Sequence, residues 1–213
     1  MKTYAQRCGL AKTLDVLGDR WTLLIIRELS LRESRYIDLR RNLPGIASNL
    51  LAQRLRDLEA AGVIERRHAP PPVQTALYAL TARGEQLVPA LDALTVWGYP
   101  MLPDAPDDDL FRLAWVAALF RALLRDVDAT PPELCVELVG PSESERIAFG
   151  ADCSVTLAPS RDPDATITGE FAAIWAYLTT ANAAAPRALT VTGDLRRMRE
   201  LRKVLTQAVA HAR

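Results

Sequence analysis

Cysteine, histidine and lysine are all scarce in this chain of 213 residues. Three cysteines, Cys8, Cys135 and Cys153, make no disulfide framework, so a reducing cytoplasmic setting is expected. The two histidines, His68 and His211, have no cysteines or carboxylates at metal-ligand spacing. A zinc site is therefore not expected, and no other cofactor is. No apolar run reaches the ~18 residues of a membrane span, and the polar start Met1-Lys2-Thr3-Tyr4 is no secretory leader, so no membrane partner is expected. CxxC, GxSxG, GxGxxG and P-loop patterns are missing, which argues against an enzyme. Only Lys2, Lys12 and Lys203 are lysines among 26 basic residues. With the many alanines, that arginine bias points to a GC-rich coding genome more than to a function.

What is present is ordinary globular material. The chain is 49% hydrophobic and 24% charged, with 26 basic and 26 acidic residues, which excludes general disorder and is enough to bury a core. The zero net charge hides an asymmetry. Residues 1–98 carry 14 basic and 10 acidic residues, whereas residues 99–213 carry 12 and 16. A basic half joined to an acidic half suggests that only the first meets an anionic partner. Between them, Tyr99 to Asp109 holds three prolines and four aspartates and reads as a linker, its aspartates suited to cap the apolar helix that follows. The expected organisation is a domain over 1–98, a Pro/Asp-rich linker over 99–109 and a second domain over 110–213.

The first half reads as a series of short helices followed by a hairpin. Ala5–Leu17 is helical in composition and closes at Gly18; Asp19 is the capping candidate for the apolar run Trp21–Leu29. Arg35–Leu43 makes a shorter helix closed by Pro44-Gly45. Ser48 is the expected cap of a helix over Asn49–Ala61 that Gly62 ends. There Leu51, Leu55 and Leu58 form one buried stripe; Asn49, Gln53 and Arg56 lie opposite it and Arg54 flanks it. Val63–Arg67 and Val73–Leu80 flank the tip His68-Ala69-Pro70-Pro71-Pro72 as a hairpin. Thr81 caps a last helix to Trp97-Gly98, which Pro89 is expected to kink. Helix, helix-turn-helix, then hairpin is the winged-helix plan, in which the second helix of the pair enters the major groove.

On these residues the segment Cys8 to Trp97 resembles the HxlR family of bacterial winged-helix transcriptional regulators. The resemblance rests on Cys8, the run Leu17-Gly18-Asp19-Arg20-Trp21-Thr22-Leu23-Leu24-Ile25-Ile26-Arg27-Glu28-Leu29, Arg35-Tyr36 and Leu43-Pro44-Gly45-Ile46. It continues through Leu51, Arg54-Leu55, Leu58-Glu59, Gly62-Val63-Ile64 and Tyr78-Ala79-Leu80-Thr81-Ala82-Arg83-Gly84 to Trp97. Gly9, where the family usually has proline, and the triple-proline wing tip are departures. The resemblance implies a homodimer, built by the first and last helices of this domain, on a palindromic double-stranded DNA operator.

That reading assigns roles. Asn49 and Gln53 suit adenine, and Arg54 and Arg56 suit phosphates or guanine edges, with Ser48 at the helix start. Arg66 and Arg67 at the base of the wing are phosphate candidates, with Gln74 a weaker one. Arg54 has an alternative as an intramolecular partner of Asp57 or Glu59.

In the second half, the apolar helix Leu110–Val127 is followed by strand-like runs at Glu133–Val139, Arg146–Phe149, Cys153–Leu157 and Asp164–Gly169. A helix over Glu170–Ala184, a strand over Ala188–Gly193 and a basic helix over Asp194–Ala210 complete the chain. The fold class is α+β: a winged helix followed by a mostly antiparallel sheet with helices on one face. The pattern Thr168-Gly169, helix, short strand, Gly193-Asp194, helix resembles the sterol carrier protein-like lipid-binding fold. That resemblance implies an apolar cavity between sheet and helices, with Trp115, Phe171, Trp175 and Leu178 as lining candidates; the alternative is that these residues fill a solid core.

The expected function is a cytoplasmic, dimeric, sequence-specific repressor whose DNA binding is modulated by an apolar or amphipathic small molecule in the second domain. Two rivals stand beside it. One is a redox or electrophile sensor acting through Cys8, its thiol acidified by nearby Arg7 and Lys12. The other is a lipid or metabolite carrier whose winged helix does not bind DNA.

Overall fold

The computed structural model describes residues 3–68, 76–104, 110–181 and 185–212. By compactness the chain divides into Met1–Leu91 and Asp92–Arg213. Gln74, the wing tip Ala69–Pro72 and the aspartates 107–109 lie outside the described residues.

The first unit opens with α1 (Gly9–Leu17), α2 (Thr22–Leu31), β1 (Ser34–Arg35), α3 (Tyr36–Asn42) and α4 (Ser48–Ala60). The strands β2 (Ile64–His68) and β3 (Ala76–Leu80) and the short helix α5 (Ala82–Glu85) follow. β3 lies between β1 and β2 and pairs antiparallel with both, Arg66 opposite Tyr78 and Ser34 opposite the other edge of Tyr78. The core is aliphatic: Ile25, Ile26 and Leu29 of α2 meet Leu39, Leu43, Ile46 and the Leu51/Leu55/Leu58 stripe of α4. That stripe is where the helical period placed it.

Several local expectations are corrected. The first helix starts at Gly9, not Ala5, because Thr3 Oγ1 and the Tyr4 amide donate to the Asp15 carboxylate at 3.0 and 2.8 Å and turn the chain back. Asp19 does not cap α2 with its side chain. The N-cap is Trp21, in the left-handed region at φ 79, and only the Asp19 carbonyl takes a helix-start amide, that of Thr22. Ser48 is the first residue of α4 and not its cap; Ala47 precedes it, without a side-chain bond. Thr81 does cap, accepting from the Gly84 amide at 3.1 Å, but the helix it starts is only α5. A separate α6 (Val88–Gly98) follows, with Pro89 in its first turn, where a missing N–H is cheap, so the chain breaks before the proline and is not kinked by it.

The boundary between the units falls inside α6. Tyr99–Asp104 forms a tight 3₁₀ helix, then come α7 (Leu113–Leu124), β4 (Leu134–Val139), β5 (Ser144–Phe149), β6 (Val155–Leu157), β7 (Ala165–Thr168), α8 (Phe171–Thr179), β8 (Thr190–Gly193) and α9 (Leu195–His211). α7 begins three residues later than Leu110, and its first amide, that of Leu113, is taken by the Glu143 carboxylate from the β4–β5 turn rather than by a neighbouring aspartate. α8 stops at Thr179, short of Ala184, where Thr180 turns extended.

The sheet order is β6-β5-β4-β7-β8, antiparallel except for β4 and β7, which run parallel. Its apolar face carries Val136 opposite Ile147 and Leu134 opposite Phe149, and α7 and α8 cover it with Val116, Phe120 and Leu178. The other face carries the cross-strand pair Glu137–Arg146 at 2.9 Å. Asp194 caps α9, accepting from the Arg196 and Arg197 amides, while Arg197 reaches Asp164 at 2.9 Å and ties α9 to the start of β7. Asp92 of α6 is buried and ion-paired with Arg121 of α7 at 2.9 Å and with Arg125 at 3.6 Å.

Candidate nucleic-acid interface

The pair α3–α4 is joined by Leu43-Pro44-Gly45-Ile46-Ala47. Gly45 sits at φ 86 against the Trp21 indole, whose nearest atom would lie 3.6 Å from an added Cβ; the left-handed φ is what restricts this position to glycine. The Tyr36 hydroxyl donates to the Ser48 carbonyl at 2.7 Å and fixes the start of α4 to the start of α3. With Leu51, Leu55 and Leu58 turned into the core, the face of α4 left to solvent bears Ser48, Asn49, Gln53 and Arg56, as the helical period predicts.

These side chains are linked before any partner arrives. Arg56 donates to the Gln53 carbonyl oxygen at 2.7 Å, and the Gln53 amide donates to Asp57 at 2.7 Å. Asn49 accepts from the Leu50 amide at 2.9 Å. Arg54 is different. Only 18% exposed, it lies 2.7 Å from Asp19 and 3.0 Å from Asp57, and its Nε is buried without a partner among the described residues. Its intramolecular alternative is thus realised through Asp57, with Asp19 and not Glu59 as the second carboxylate.

On the wing, Arg66 and Arg67 are exposed on β2. Arg67 is held by Glu65 at 2.6 Å and reaches Glu33 at 3.6 Å; the hydrogen bond and charge of Glu65 raise its pKa further. Arg66 has no ion pair among the described residues. Sequence reasoning passed over Arg40, exposed in the last turn of α3 and also without an ion pair among the described residues, and Arg20, stacked over Trp21 at 5.4 Å. The signal for Arg40 was its place in the first helix of the helix-turn-helix, beside Arg41, which pairs with Asp38 at 3.3 Å.

Cys8 is exposed at the N-cap of α1. Its thiol is held below the ordinary value by the Ala11 and Leu10 backbone amides, not by Arg7 or Lys12 as expected. Lys12 is instead bound to Asp15 at 3.0 Å. In the second unit, the four residues expected to line a cavity divide. Leu178 borders a narrow apolar seam under the sheet, beside Val116 and Phe120, that admits no water molecule. Trp115, Phe171 and Trp175 lie outside it in an aromatic row: Phe111 stacks on Phe171, Trp175 stacks on Phe120 at 5.4 Å between ring centres, and Trp115 meets Phe111 edge-on at 6.3 Å.

Comparison with known proteins gives this geometry a context. The HxlR-like helix-turn-helix family matches residues 16–105. The HTH-type transcriptional regulator YkvN of Bacillus subtilis is 37% identical over 94 residues, covering 43% of this chain and 77% of its own length. YtcD of the same organism is 39% identical over 89 residues, covering 40% and 68%. An HTH-type regulator of Methanothermobacter thermautotrophicus is 32% identical over 91 residues, covering 43% and 70%. A crystal structure of a regulator named ytcD is 33% identical, with a TM-score of 0.42 over 45% of this chain and 98% of its own. Residues 106–213 lie outside the family match.

Proposed function

Because the chain belongs to the HxlR-like helix-turn-helix family and is a DNA-binding transcriptional regulator, we propose that it is a homodimeric repressor of a palindromic operator, tuned by a small molecule in its C-terminal half. The observation that carries this is the solvent face of α4. It offers Asn49, Gln53 and Arg56, whose amides and guanidinium have the donor and acceptor patterns of adenine and guanine edges. Ser48 stands at the helix start for a phosphate, and Arg66, Arg40 and Gln74 extend the backbone grip. Arg54 and Arg67, both tied to carboxylates, orient their neighbours more than they contact DNA.

The dimer uses α1 and α6, each of which exposes apolar side chains that water disfavours. Leu10 is 68% exposed on α1 and Trp97 is 71% exposed on α6, with Leu14 and Leu94 beside them. In the proposed division of labour, 1–98 reads DNA and dimerises, 99–109 links, and 110–213 is a sterol carrier-like sensor. Support for the sensor is the Thr168-Gly169 and Gly193-Asp194 pattern framing α8 and α9. With the seam beneath the sheet closed, an apolar ligand enters by parting α8 from α7 beside Phe171, Trp175 and Trp115. An enzymatic role is not proposed.

A footprint of the full chain on selected operator DNA tests this. It should protect two half-sites with centres ~34 Å apart or a multiple of it. A single protected half-site would overturn the dimeric reading. The exposed, acidified Cys8 favours a second reading as a thiol sensor. Operator release by peroxide or a quinone, abolished in Cys8→Ser, would establish it; apolar ligands releasing the operator from Cys8→Ser would favour the first.

A further inference from the structure

Between α1 and α5 the first unit holds a groove of about 330 Å3 that the DNA-binding reading leaves unused. That volume is at the lower end of small-molecule sites. On one side of it, α5 presses close to the residue that leads into β2. A Cβ on Gly84 would stand 2.1 Å from the Val63 carbonyl oxygen, so only glycine allows the approach. The Thr81 hydroxyl reinforces it, donating to the Gly62 carbonyl at 2.6 Å.

The floor is apolar, made of Val16, Leu17, Val63 and Leu87, while Lys12, Thr13, Arg83 and Gln86 form the rim. The two cations on that rim differ. The Lys12 ammonium is 3.0 Å from Asp15, which also accepts from Thr3 and Tyr4, so its charge is locally balanced. Arg83 is exposed and has no ion pair among the described residues. The groove thus sets one uncompensated guanidinium beside aliphatic side chains, with hydroxyl and amide groups next to it.

We infer that this groove binds a small amphipathic monoanion, an apolar carboxylate whose body lies on Val16, Leu17 and Leu87 and whose carboxylate is gripped by Arg83. The planar guanidinium fork matches a carboxylate with two parallel hydrogen bonds. A neutral hydrocarbon leaves that fork unused. A multiply charged anion must give up hydration against the aliphatic floor. The site lies wholly in the first unit and is distinct from the sensor proposed for the second.

Calorimetric titration of the full chain with 2-naphthoate and its neutral counterpart 2-naphthamide tests the assignment. The acid should bind with a Kd below about 1 mM and about tenfold or more tighter than the amide. Arg83→Gln should erase that preference and leave amide binding unchanged, whereas Arg83→Lys should keep part of it. Equal affinities for acid and amide, or an acid affinity unchanged in Arg83→Gln, would overturn it. So would an affinity that falls as chain concentration rises, since a second copy would then occupy the groove. Neither DNA nor the aromatic row enters the readout, so failure here leaves the operator reading standing.

Discussion

Arg54 of α4 is held 2.7 Å from Asp19 in the turn before α2, and the same guanidinium reaches Asp57 one turn along its own helix. The contact fastens α4 to the loop that carries Trp21, whose indole in turn packs on Gly45 in the turn before α4. A residue that sequence position alone offers as a DNA contact is in this structure a brace. Arg54→Ala should therefore lower stability by ~1–2 kcal/mol and weaken binding to all operators, without changing the slope of log affinity against log salt. Denaturant unfolding and a salt titration read the two effects separately, and a slope flattened by about one would make Arg54 a phosphate contact after all.

The two wing arginines should separate. Arg66→Ala removes a charge that has no ion pair among the described residues, and should flatten the salt slope by about one while weakening related and unrelated sequences alike. Arg67→Ala removes a charge already matched by Glu65 at 2.6 Å, so its slope should change less. Fluorescence anisotropy on one operator at several salt concentrations distinguishes them; equal slopes for the two variants would contradict the difference in pairing.

Acid should loosen the second unit through Asp164. Its carboxyl is held below the usual carboxylate range, first by the Cys135 amide, which donates at 2.8 Å, and then by Arg197. Because the folded pKa is depressed, this contribution is present above the unfolded value of about 3.9 and is lost as pH falls through the folded value. Stability measured from pH 6 downward should decline below about pH 4, and Asp164→Asn should be less stable at pH 6 yet show a shallower decline. An identical pH dependence in the variant would remove Asp164 from this role.

How much of this was legible in sequence depends on the range of the interactions. The Leu51/Leu55/Leu58 stripe and the opposite Asn49/Gln53/Arg56 face follow from helical period alone, and the structure keeps them. In β4 a period of two runs from Val136 to Val139, with Val136 and Leu138 buried and Glu137 and Val139 less so, because neighbouring side chains point to opposite faces. β1, two residues long, is too short to carry a period, and it exists only because β3 offers it an edge. Trp21 at φ 79 runs against what a bulky residue prefers and depends on its surroundings. The Arg54–Asp19 pair and the parallel β4–β7 pairing join segments far apart in the chain, which no local pattern encodes. The aromatic residues of α7 and α8 read as apolar in the sequence. Whether they stack on one another or line a space is decided by packing, and in this structure Trp175 stacks on Phe120.

Operator affinity of the double variant Gln53→Ala/Arg56→Ala, measured beside a check that the fold is intact, tests most directly whether α4 reads DNA. Both side chains are exposed and neither enters the core, so folding should survive. If the helix reads base edges, affinity for the selected operator should fall by ~2 kcal/mol or more, about thirtyfold, with much less change on unrelated DNA. Unchanged operator affinity in the folded double variant would contradict the assignment of α4 as the reading helix.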